Sequence, residues 1–100
     1  MNIYYRENTG IQTAQERNLD YFQVINMGAL FQTSTAFVEV IFFEYLTDAK
    51  NGKIPNAHRR IEWQMGANTD ITSGLAKLLT FENVTTTSND IVSFKDAEIK

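Results

Sequence analysis

The sequence predicts an α+β domain, mainly an antiparallel β-sheet with one or two short helices, and three stretches carry that expectation. Residues 36–46, AFVEVIFFEYL, are dominated by β-branched and aromatic side chains and interrupted only by Glu39 and Glu44. Residues 59–65 alternate, with Ile61, Trp63 and Met65 on one parity and Arg60, Glu62 and Gln64 on the other, as a strand with one wet face does. Residues 68–79 place Ile71, Leu75, Leu78 and Leu79 at helical spacing, which marks an apolar helix stripe.

Taken in order, the chain opens with Tyr4, Tyr5 and Arg6, residue types favoured at the centres of protein contacts. Residues 1–12 are therefore expected to form either an N-terminal arm reaching a neighbouring chain or a plain edge strand. TAQE at 13–16 has the form of a capping box, and a helix from there could run to Met27, close at Gly28 and align Leu19, Phe22 and Ile25. Residues 21–31 alternate as well as they fit a helix. A short helix followed by a strand is the preferred reading of this segment.

The 36–46 run is expected to be a strand covered on both sides, because Phe37, Ile41, Phe43 and Tyr45 fall on one parity and Val38, Val40, Phe42 and Leu46 on the other. Asn51-Gly52 tolerates positive φ at both places, so a hairpin or long loop should follow and bring the 59–65 strand back to pair with it. A helix over 69–79 fits Asn68 or Thr69 as cap, Asp70 near its start and Lys77 near its end. Gly74 weakens that helix by about 1 kcal/mol relative to alanine. In the tail, two short strands at 81–87 and 91–95 are expected around an Asn89-Asp90 turn.

A chain of 100 residues, 43% hydrophobic and 21% charged, has the composition of one folded domain, so residues 1–100 are read as a single unit. The net charge of −3 gives no general attraction for phosphate backbones, and nucleic acid is a disfavoured partner. With no cysteine, disulfides, thiolate catalysis and cysteine-based metal sites are excluded. The 36–46 run is about half the length a membrane helix needs, so no membrane span is expected. MNIYYRENTG lacks the pattern of a signal peptide. Cytoplasmic synthesis is expected, and the sequon Asn83-Val84-Thr85 is expected to be unused.

Candidate chemistry is sparse. His58 is the only histidine and cannot form a multi-histidine metal site; no nucleophile motif accompanies it, and no calcium-loop spacing of acids is present. Arg59, Arg60 and Trp63 could grip a phosphate, a carboxylate or a stacked base, but pairing of the arginines with acids such as Glu44 and Glu62 is the stronger reading. Glu39 and Glu44 fall on opposite faces of a strand and so do not form a catalytic pair. Each is expected to mark where apolar surface meets solvent or an arginine. No catalytic, cofactor or metal residues are assigned.

The functional expectation is a non-enzymatic assembly protein acting through contacts with other protein chains, as a homo-oligomer or within a larger structure such as a virus or phage particle. Tyr4, Tyr5, Arg6, Phe37, Ile41, Phe43, Tyr45, Arg59, Arg60 and Trp63 are its expected contact residues. The alternative is a small acidic inhibitor or regulator docking on a basic site of another protein.

Overall fold

The computed structural model describes residues 2–65 and 74–100. Five strands form one sheet: β1 (Tyr4–Tyr5), β2 (Tyr21–Leu30), β3 (Thr35–Phe43), β4 (Ala57–Gln64) and a late strand, Glu98–Ile99. Their spatial order is β4, β3, β2, β1 and the late strand, with every neighbouring pair antiparallel. The mainly antiparallel α+β class expected from the sequence is thus the observed one, and the 59–65 strand pairs with the 36–46 run as expected.

β2 and β3 make a long hairpin. At its tip, Thr33 and Ser34 donate backbone hydrogen bonds to the carbonyls of Leu30 and Phe31, and Ser34 adopts φ 53°. The register slips at Ile25, between Val24 and Asn26, as a β-bulge. Of the short helix and following strand expected here, the strand is formed, as β2, and the helix starting at Thr13 is not. Thr13 does accept an amide through its hydroxyl, but from Arg17 at 3.2 Å, and Glu16 turns to φ 62°. The capping-box residues therefore close a loop, bridged Gln12 to Asn18. Strand wins in 21–30 because Phe22 and Val24 lie opposite Phe42 and Val40, where both cross-strand pairs bury apolar surface.

The β3 strand is covered unequally. Val38, Val40 and Phe42 are fully buried, whereas Phe37, Glu39 and Ile41 are half-buried, so the expectation of cover on both sides holds only near the end of the strand. The cover there is α1 (Leu46–Lys50), which seals Phe43 and Ile3 against Ala49. A five-residue helix spans only about 7.5 Å and reaches no further. The strand also stops at Phe43, short of Tyr45 and Leu46. Asn51-Gly52 closes α1 instead of making a hairpin. Gly52 at φ 63° donates to the Ala49 carbonyl at 3.3 Å, and Lys53 donates to the Asp48 carbonyl at 3.0 Å. Those two bonds form a Schellman motif.

The other sheet face carries the main core. Phe22, Phe42 and Phe94 meet with ring centroids 5.1 to 6.2 Å apart, surrounded by Tyr4, Ile11, Leu19, Val38, Val40, Ile61, Leu78 and Val92. Its cover comes from α2 (Gly74–Leu78) and from the hairpin of β5 (Val84–Thr85) and β6 (Ile91–Val92). The start of the helix expected over 69–79 lies outside the described residues. The two tail strands are present but short, with Asn89 at φ 69° in their turn. The Thr86 hydroxyl there accepts from the amides of Ser88 and Asp90. The late strand, β7 (Glu98–Ile99), was not foreseen; it flanks β1, whose Tyr4 is 5% exposed. The opening residues are therefore an inner strand of the sheet, neither a projecting arm nor an edge.

Candidate functional site

The arginine-tryptophan cluster does not converge. Strand alternation in β4 sends Arg59, Ile61 and Trp63 to the core side and Arg60 and Glu62 to the outer face. Arg59 pairs with Asp90 in the β5–β6 turn, and Trp63 packs edge-on against Phe81 with centroids 5.2 Å apart. Arg60 bonds Glu62 at 2.8 Å, lies 3.9 Å from Glu39, and stacks its guanidinium 3.8 Å from the Phe37 ring centroid. The Glu39 carboxylate also accepts from Asn26 at 3.0 Å. The outer face thus carries a cross-strand ladder running Asn26, Glu39, Arg60, Glu62 over half-buried Phe37, with exposed His58 in register with Ile41. Pairing of the arginines with acids is what the geometry contains, although Glu44 pairs with Arg17 at 2.9 Å and not with Arg59 or Arg60. The Glu44 hydrogen bond, followed by its charge, raises the Arg17 pKa above the ordinary arginine value, and Arg17 also donates to the Tyr45 hydroxyl at 3.1 Å.

The remaining expected contact residues separate as well. Tyr4 and Phe43, at 5% and 1% exposure, are enclosed within this chain and present no surface, because each sits beneath a covering element on its own side of the sheet. Tyr45 is exposed beside Arg17. Tyr5 leans on Tyr21, and Arg6 is spent on structure, donating to the carbonyls of Lys95, Glu7 and Asn8. These residues line an open crevice of about 310 Å³ with Glu7, Lys95, Asp96 and Glu98. There the Tyr5 hydroxyl is raised above the ordinary tyrosine value, first by desolvation and then by the negative charges of Glu7 and Asp20. Among the described residues no three acids or histidines gather as metal ligands, and no helix is long and apolar enough to cross a membrane.

Several large exposed apolar side chains stand close together elsewhere, on the distal part of the β2–β3 hairpin. Phe31 is 78% exposed, Leu30 49%, Ile25 41% and Met27 37%. The two sides of the sheet differ in how they are closed. On the outer flank of β4, the Thr87 amide donates to the Arg60 carbonyl at 3.0 Å, and charged side chains line the strand. On the flank of β2 away from β3, β1 pairs only with Tyr21 and Phe22. Among the described residues, no backbone hydrogen bond reaches residues 25–29 from that flank. The signal for this surface was in the sequence: no charged residue stands between Asp20 and Glu39, although the chain is 21% charged. Comparison with protein-family models, curated proteins and solved structures finds no match.

Proposed function

We propose that this chain is a non-enzymatic assembly protein that acts through protein–protein contacts, as one component of a larger structure of the virus or phage particle kind, and that the distal part of the β2–β3 hairpin is its contact surface. The observation that supports this reading is Phe31. A phenylalanine 78% exposed, flanked by exposed Leu30 on a segment free of charge, has the chemistry of a contact anchor. The 36–46 run is chiefly core, so the reading rests on residues 25–31.

Light scattering after size-exclusion chromatography, run over a wide concentration range, tests it with wild type and Phe31→Ser. Association that depends on Phe31 is the expected result. Two monomeric proteins with the same elution behaviour, and no partner retained by wild type in preference to Phe31→Ser, would overturn the reading.

A further inference from the structure

We infer that the open flank of β2 over residues 25–30 is a strand-pairing edge, and that its occupant is the same edge of a second copy, joined antiparallel about a two-fold axis into one continuous sheet. The inference rests on the assembly reading and specifies how the contact is made.

Three observations carry it. The first is the backbone. β2 runs well past the two residues that β1 pairs, leaving an edge of about 20 Å over six residues to which no described residue pairs on that flank. Along such an edge alternate residues turn their N–H and C=O groups outward, and the ligand that satisfies that row is another extended strand. The second is how little of the usual protection the edge carries. Natural edges are blunted by charges, proline or a bulge. Residues 21–38 contain no charged residue and no proline, and the bulge at Ile25 is the only such feature in the strand. The opposite edge, β4, shows what a protected flank looks like here: Arg60 and Glu62 on the strand and the Thr87 amide already bonded to Arg60.

The third observation is charge, and it selects the occupant. A molecule of net charge −3 repels its own copy wherever acids face each other. Along β2 that repulsion is weak: residues 21–38 carry no charge, and the acid beside the strand, Glu39, lies on the β3 side, bonded to Asn26 and 3.9 Å from Arg60. An antiparallel backbone edge is complementary to itself, as an isologous interface requires. Ile25 and Leu30, both exposed, would then lose solvent along the seam.

The test combines oligomer mass with amide hydrogen exchange, using the full chain at low and high concentration. The expected result is a species of twice the 11.4 kDa chain mass, with about half the amides of residues 25–30 slowing as it forms. Residue 25 faces residue 30 of the other copy in this seam, so Ile25→Lys and Leu30→Lys each set a charge against an apolar side chain and should each raise the dissociation constant about tenfold or more. Ile54→Lys, at an exposed loop position remote in sequence from the hairpin, should leave it unchanged. Circular dichroism matching wild type shows that the lysine variants keep the fold.

An oligomer whose 25–30 amides exchange equally fast at both concentrations overturns the edge inference and leaves the assembly reading standing. A monomer at all concentrations also overturns self-pairing. The assembly reading is then decided separately, by whether Phe31→Ser abolishes capture of a different partner. A dimer with slowed amides that dissociates in both lysine variants establishes the inference.

Discussion

Phe94→Ala is the sharpest test of how this fold is held together. Phe94 lies in the tail, outside any strand, yet it is fully buried and touches both long strands of the hairpin, with its ring 5.1 Å from that of Phe22 and 6.2 Å from that of Phe42. Truncation removes a whole aromatic from the centre of the core and leaves a cavity that rigid strands on one side cannot fill. Such changes cost about 3–5 kcal/mol, a large share of the roughly 5–15 kcal/mol that stabilises a domain. With a urea m-value of about 1–3 kcal/mol/M, the midpoint should fall by on the order of 2 M. Equilibrium urea unfolding followed by tryptophan fluorescence reads this directly, because Trp63 packs beside the tail residue Phe81. A loss below about 1 kcal/mol with an unchanged m-value would refute the claim that the tail forms the second layer. Phe31→Ala is the matched control, since an exposed phenylalanine should change stability by no more than about 0.5 kcal/mol.

Gly52→Ala should lower stability by about 1–2 kcal/mol through backbone strain alone, because Gly52 sits at φ 63° with nothing within 4 Å of an added Cβ; thermal unfolding measures it, and an unchanged midpoint would contradict the Schellman closure of α1. The raised pKa of Tyr5 fixes a sign for alkaline behaviour. Its contribution is fully present below the unfolded tyrosine pKa of about 10 and is lost as pH rises through the higher folded value. Tyr5→Phe should therefore flatten the fall of stability above pH about 10, and unfolding curves of the two proteins that stay parallel with rising pH would exclude the effect.

Much of the sheet could be read from the chain because burial on one face imposes a two-residue period. The alternation of Ile61 and Trp63 against Arg60 and Glu62 places β4 correctly, and Val38, Val40 and Phe42 mark the buried face of β3. The misreadings share a cause. TAQE has the residues of a helix start, but helix formation after it would have taken Phe22 and Val24 away from Phe42 and Val40, and tertiary pairing outweighs a local cap. Of Asn51-Gly52, Gly52 does take positive φ while Asn51 stays at φ −90°, and positive φ serves a helix end as well as a hairpin. The Arg59, Arg60 and Trp63 cluster looked like one site because the residues are close in sequence. Strand geometry divides neighbours between two faces, and Asp90, the partner of Arg59, stands far along the chain. β7 left almost no trace because two residues are too few to show a period. The hairpin surface was legible as an interval without charge, a pattern that reports solubility more than secondary structure.

The hydrogen bond from Thr87 to Arg60 has a meaning beyond local order. A sheet receptive on both sides is a monomer for polymer growth: each addition regenerates a sticky end, and nothing sets a length. With one carbonyl of β4 already held by the tail, a strand approaching that side would have to displace the Thr87 amide before it could zip along the whole edge.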